Sequence, residues 1–290
     1  MENPYRIPTD GRCRTINFSG GRSSAYLLYH VLDAHDGQLP DRTIAAFANT
    51  GIERAETYEF VRECETRWGV DIVWLEYHYD QLASGGRKEP RRTYKQVDYG
   101  CVARNGEPFR EMIAAGSWLP NSVHRKCTAE LKISTIDRYC SRELGWKKTQ
   151  RIGVLGIRYD EPRRWGKALY EECQTEYPMV HAQVTKEDVA AFWAAQPFDL
   201  GIPSWQGNCT LCFMKGQSTL VQAIREKPEI ADWWIETEEN FQPRSGSKNK
   251  TFSKKWTYRE LLERARMEQD LPFDLSNEDT ELGASCACTD

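Results

Sequence analysis

The sequence predicts an α/β protein built on parallel strands, followed by a mainly helical C-terminal region. Three observations carry that expectation. Short apolar runs at 15–18, 43–48, 71–77 and 151–157 alternate with segments of helical period. Strands that alternate with helices form parallel βαβ units with right-handed crossovers. From about residue 177 onward only helical patterns and turn-rich loops remain.

The elements follow in order. Residues 1–13 are polar, contain Pro4 and Pro8, and read as an extended N-terminal arm. Thr15 to Phe18 is a strand that breaks at Ser19, Gly20 and Gly21 into a helix whose apolar face is Tyr26, Leu27, Leu28, Val31 and Leu32. The run 43–48 is a buried strand ending in Asn49, Thr50 and Gly51, and a helix over 55–68 follows with Tyr58, Val61 and Cys64 on one face. The third strand carries Ile72, Val73, Trp74 and Leu75, and 84–105, rich in Gly, Arg, Lys and Tyr, reads as a long mobile loop. A helix is expected over 128–144, a buried strand over 151–157, and irregular structure over 160–178. The nucleotide-type domain therefore spans 14–176 and the helical region 177–290. Thr185 and Thr257 each sit three residues before an acidic residue, Asp188 and Glu260, and mark helix starts. Further helices are expected over 218–226 and 228–239, and 245–250 reads as a turn or disordered tip.

At 290 residues and 40% hydrophobic, the chain suffices for one large domain or a domain with an appendage. A net charge of −4 and a pI near 5.9 argue against nucleic-acid binding by bulk electrostatics and leave room for a local basic groove. No run reaches membrane-spanning length and the first residues are no signal peptide, so a cytoplasmic protein with no membrane partner is expected.

The turn from the first strand into the first helix has the chemistry of a phosphate holder. Gly20 and Gly21 allow close backbone approach, and successive N–H groups with a helix N-terminus favour an anion. Ser19, Ser23 and Ser24 add hydroxyl donors and Arg22 adds charge. The turn is neither a Walker loop nor a G-x-G-x-x-G fingerprint. The residues alone also allow a plain helix cap with glycines present for packing.

Ten cysteines are many for a reducing compartment, where clustered thiols serve metals or redox chemistry more often than disulfides. Cys13, Cys64, Cys140 and Cys173 stand alone and read as buried small residues. Cys209 and Cys212 form a C-x-x-C knuckle between Gly207 and Gly216. With Cys286, Cys288 and Cys127 they supply enough sulfur for a four-thiolate site, of zinc or of iron and sulfide.

Six motifs occur in order: Ser19 to Ser24, Phe47 to Thr57, Cys127 to Lys132, Gly156 to Arg163, Gly207 to Gly216, and Cys286 to Asp290. Together they resemble the phosphoadenosine-phosphosulfate (PAPS) reductase family of PP-loop proteins. The match is to its phage and prophage branch, related to the Dnd-type sulfurtransferases. The resemblance covers nearly the whole chain from Thr15. It implies a parallel five-stranded adenine-nucleotide α-hydrolase-like sheet with helices on both faces, the ligand lying at the carboxyl ends of the strands.

By this resemblance Ser19, Gly20, Gly21, Arg22, Ser23 and Ser24 hold the phosphates of ATP. Phe18, Phe47, Asn49, Thr50 and Gly51 border adenine and ribose, and Gly156 lies beside them. Glu53 or Glu56 would hold Mg²⁺, or else favour a helix N-terminus. Arg22, Lys132, Arg158 and Arg163 are the implied catalytic cations, with Arg164 beside them; surface ion pairs with Asp160 and Glu161 are the other reading of these arginines.

The family's relatives imply a [4Fe-4S] cluster, with Zn²⁺ as the alternative, held by Cys127, Cys209, Cys212 and one of Cys286, Cys288 or Cys101. The implied function is ATP-dependent, adenylating sulfur transfer that releases pyrophosphate, from a sulfur donor protein to an acceptor that is a nucleic acid or a small molecule. Two alternatives remain open. One is a PAPS or adenylylsulfate reductase that uses Cys286 or Cys288 with thioredoxin. The other is a non-catalytic nucleotide-binding or DNA-associated module.

Overall fold

The computed structural model describes residues 3–80, 91–166, 174–243 and 250–268. Its centre is a six-stranded sheet in the order β4-β3-β2-β1-β5-β6, with helices on both sides. Strands β1 (Cys13–Asn17), β2 (Thr43–Asn49), β3 (Ile72–Asp80), β5 (Arg151–Val154) and β6 (Thr175–Glu176) run parallel. The sixth, β4 (Arg91–Val97), pairs antiparallel with β3 at the edge. The expected α/β class holds, and the count of five corrects to six. The loop expected over 84–105 contains β4, whose polar residues have no apolar period because an edge strand buries little of itself.

Side chains alternate across a strand, so each strand writes two faces. One face carries Ile16, Phe18, Ala45, Phe47, Ile72, Trp74 and Val154. It packs under α1 (Arg22–Asp33), α2 (Ala55–Trp68) and α7 (Lys186–Ala194). Phe47 and Trp74 meet edge to face, ring centroids 5.0 Å apart. The other face carries Thr15, Asn17, Ala46, Ala48 and Gly153. Over β2 and β3 it is covered by a π-helix (Cys127–Ile133) that runs into α4 (Ser134–Arg142), with Leu75, Ile136 and Tyr139 filling the space. Thus the single α-helix expected over 128–144 opens with a π-helix. Over β1, β5 and β6, and along the edge of the covered patch at Ala46 and Ala48 of β2, this face borders a cleft.

A further core joins α3 (Glu107–Gly116) to the C-terminal helices α8 (Gln217–Glu226), α9 (Asp232–Asn240) and α10 (Tyr258–Met267). Helix α3 was not expected from the sequence. Both expected capping boxes are present, Thr185 with Asp188 and Thr257 with Glu260. In the stretch expected to be irregular, two short helices, α5 (Pro162–Trp165) and α6 (Pro178–His181), flank β6. Core membership crosses residue 177: Met179, Val184, Val189 and Trp193 belong with β1 and α1, while Phe109 and Met112 belong with Trp234 and Tyr258. The N-terminal arm is anchored by buried Tyr5 and Ile7, the Ile7 amide donating to His35 Nε2 at 2.9 Å. Cys13, Cys64 and Cys140 are buried as expected, and burial pushes the Cys140 thiol up to about 11. Cys173, Cys286, Cys288 and residues 245–249 lie outside the described residues.

Candidate functional site

The glycine turn sits at the carboxyl end of β1, and its shape follows from two glycines. Gly20 has φ +77°, and a Cβ there would stand 2.7 Å from Thr57 Cγ2. Gly156, after β5, presses on the same turn: a Cβ would meet the Ser23 carbonyl oxygen at 2.9 Å. Ser24 Oγ ties the turn together, accepting from the Ser19 amide at 3.1 Å and donating to the Gly21 carbonyl at 2.9 Å. Asn208 Nδ2 donates to the Ser19 carbonyl at 2.9 Å. The N-cap of α1 is Gly21, so no side chain caps the helix. No side-chain cap therefore competes for its first-turn amides.

The turn edges a cleft of about 640 Å³, a size that suits a small-molecule ligand. Its floor is the small, polar sheet face, Thr15, Asn17, Ala46, Ala48 and Gly153, and Ser19, Ser24 and Gly156 form one end. The wall opposite comes from the π-helix and α4 through Thr128, Lys132 and Ile136. Among the described residues that line the cleft, four are cations, Lys132, Lys148, Arg151 and Arg164, and one is a carboxylate, Asp137. An anionic ligand fits that balance.

The residues expected at the site divide. Ser19, Ser24, Phe18, Gly156 and Lys132 line this cleft. Arg22, Ser23 and Arg158 line a second cavity of about 430 Å³ on the other side of the turn. There Arg22 pairs with Asp199 through both nitrogens of its fork, at 2.5 and 2.6 Å. Arg158 is buried and donates to Ser23 Oγ at 3.1 Å and Asp160 Oδ1 at 3.0 Å, which makes it a support of the turn. Arg163 is exposed and lines neither cavity.

Phe47 packs in the core, and Ala46 and Ala48 take the cleft positions beside it. Asn49, Thr50, Gly51 and Glu53 build the turn after β2 and line neither cavity. Asn49 Oδ1 accepts from the Gly51 amide at 2.8 Å, and the Gly51 carbonyl accepts from the Gly106 amide at the start of α3. The buried Glu53 carboxylate accepts from the Thr50 hydroxyl at 2.8 Å and the Thr50 amide, and Lys132 Nζ lies 3.9 Å away. Glu53 thus steadies Lys132 from behind, while Glu56 is exposed.

The C-x-x-C knuckle docks beside this turn. Arg54 N donates to the Asn208 carbonyl at 2.6 Å and Thr210 N to the Ile52 carbonyl at 3.0 Å, so Glu53 and Cys209 face each other as a short bridge. The Arg54 guanidinium adds bonds to the Gly207 and Thr210 carbonyls. Cys127, Cys209 and Cys212 pack in one core around Tyr258. Burial raises the Tyr258 pKa far above the usual phenol range, and the charges of Cys212, Glu238, Cys209 and Cys127 add to the rise. These three thiols offer the donor chemistry of a sulfur-rich centre, although among the described residues no three ligating side chains stand close enough to hold a metal ion. Cys101 is exposed in a separate turn and accepts from the Asp98 amide.

Thr15, Asn17, Lys148 and Arg151 were not singled out from the sequence. The alternation along β1 and β5 is the signal that finds them, once the face left open is known.

The chain is similar to the uncharacterized nin region protein ORF290 of Escherichia phage lambda. The two are 29% identical over 255 residues, 88% of this chain and 82% of that protein. No protein-family model matches the chain. Among the described residues no helix is long and apolar enough to cross a membrane.

Proposed function

We propose that this protein is an adenine-nucleotide enzyme of the PAPS reductase type that uses ATP in sulfur transfer. The observation that supports it best is a shared wall. The π-helix begins at Cys127, near the other two thiols, and its next residue, Thr128, and Lys132 about a turn later line the cleft that the glycine turn edges. Nucleotide phosphates and sulfur chemistry would then meet across one helix. In this reading the α1 amides and the Ser19 and Ser24 hydroxyls hold phosphate, and Lys132 and Arg164 offset its charge. The adenine lies over Ala46 and Ala48, which leave room for a flat ring. Mg²⁺ enters with the nucleotide and is held by phosphate oxygens and water.

Cys127, Cys209 and Cys212, with Cys286 or Cys288, are the thiolates that would hold a [4Fe-4S] cluster or Zn²⁺, a centre that carries or activates sulfur when bound. The acceptor is a nucleic acid or a small molecule, and the donor a sulfur-bearing protein.

The test is nucleotide binding by calorimetry, followed by assay of pyrophosphate. ATP should bind, and Lys132→Gln should weaken it about tenfold, the value of one charge-assisted contact. Tighter binding of PAPS with thioredoxin-dependent sulfite release would replace this reading by the reductase. ATP binding without pyrophosphate release in the presence of a sulfur donor and candidate acceptors would favour the non-catalytic module.

A further inference from the structure

The cleft has two ends, and the nucleotide reading uses one. Ser19 and Gly156 follow the ends of β1 and β5, whereas Arg151 opens β5 and pairs in register with Cys13. Five residue steps separate Arg151 from Gly156, at most about 16 Å. At the far end stand Asp137, Lys148, Thr149, Arg151, Gln174 and Thr175.

Among the described residues that end carries more cation than anion. The Arg151 side chain is only 9% exposed and ion-pairs with Asp137. Lys148 Nζ lies 3.8 Å from the same carboxylate, so two cations share one anion. Among the described residues the buried Nη1 nitrogen of Arg151 has no hydrogen-bond partner. A buried guanidinium nitrogen without an acceptor is costly. Burial also lowers the Arg151 pKa, a penalty that a bound anion would offset.

We propose that this far end binds an oxyanion of the second substrate, a phosphoryl or carboxylate group lying about one cleft length from the atom that reacts. The Arg151 fork and Lys148 would take the charge. The body of the substrate would lie over Thr15, Asn17 and Gly153, small or polar positions that leave space and offer hydrogen bonds. The proposal rests on the glycine turn being the nucleotide's end.

The experiment is titration of the full chain with inorganic phosphate, with and without a saturating non-hydrolysable ATP analogue, with acetate run in parallel to tell a phosphoryl from a carboxylate preference. Phosphate or acetate should bind in the presence of the analogue. Arg151→Gln and Lys148→Ala should each lower that affinity about tenfold, while analogue affinity stays within about twofold. Lys148 is 81% exposed, so its variant keeps the test decisive if Arg151→Gln fails to fold. Anion affinity unchanged in Lys148→Ala overturns the site. Exclusion of the anion by the analogue also overturns it, and gives the far end to the nucleotide's own phosphates. If the analogue fails to bind at all, the nucleotide reading fails separately, and anion affinity in the variants still decides the subsite.

Discussion

The two faces of the sheet are made by the same strands and do opposite work. One presents Ile16, Phe47 and Trp74 and is sealed by helices. The other presents Thr15, Asn17, Ala46, Ala48 and Gly153, and where the crossover helix stops covering it a cleft opens. Large apolar side chains on one face anchor the sheet, and that anchoring lets the other face keep small and polar residues. Stability and binding are thus written in alternate letters of the same strand. Neighbouring residues should therefore fail in different ways.

Phe47 and Ala48 are adjacent and lie on opposite faces. Phe47→Ala should cost about 3–5 kcal/mol, because it removes a fully buried ring and leaves a cavity beside Trp74. Denaturant unfolding would read that loss. Ala48→Leu adds volume toward the cleft, so it should cost nearer 1 kcal/mol and instead abolish nucleotide binding. Equal losses of stability from the two substitutions would break the comparison.

The strand alternation was legible in the sequence, and so was the glycine turn. Thr185 and Thr257 announced their helices because a capping box is local chemistry. What could not be read was direction. Arg22 stands in the turn itself, yet its fork is held by Asp199, 177 residues away in sequence. Arg158 and Arg163 share a short segment, and one is buried while the other is exposed. Ion pairs formed in the folded chain set those orientations, and no periodicity records them. Strand β4 escaped because Arg92, Lys95 and Gln96 look like loop composition until β3 provides an edge to pair with.

Gly20 is where the two faces meet the turn, and it makes a sharper test than a binding assay alone. Its φ of +77° and the 2.7 Å approach to Thr57 Cγ2 mean that Gly20→Val strains the backbone and crowds α2 together. The expected cost is about 2–4 kcal/mol, smaller than that of Phe47→Ala but larger than that of Ala48→Leu. Binding and stability should fall together here, unlike at Ala48. A Gly20→Val protein of unchanged melting temperature would mean that the turn is not locked against the sealed face.

The smallest expected effect concerns a buried carboxylate on the sealed face. Glu76 shares that face with Trp74, is buried, and its Oε1 accepts from Asn49 Nδ2 at 2.7 Å and the Ala103 amide at 2.6 Å. Burial raises its pKa above the ordinary glutamate value, and the two hydrogen bonds only partly offset the rise. The folded chain therefore holds this proton more tightly than the unfolded chain does. Between the unfolded and the folded pKa the native state binds more protons, so stability falls as pH rises through that window and levels off above it. Glu76→Gln keeps an oxygen for Asn49 and Ala103 and removes the titration. The variant should lose that part of the pH dependence, gaining on the wild type from the ordinary glutamate pKa upward until the difference becomes constant. Denaturation midpoints measured from pH 4 to 8 would show it. Parallel curves for the two proteins would mean that the sealed face tolerates a charge at its rim without cost, and that the contrast between the faces ends one residue before Glu76.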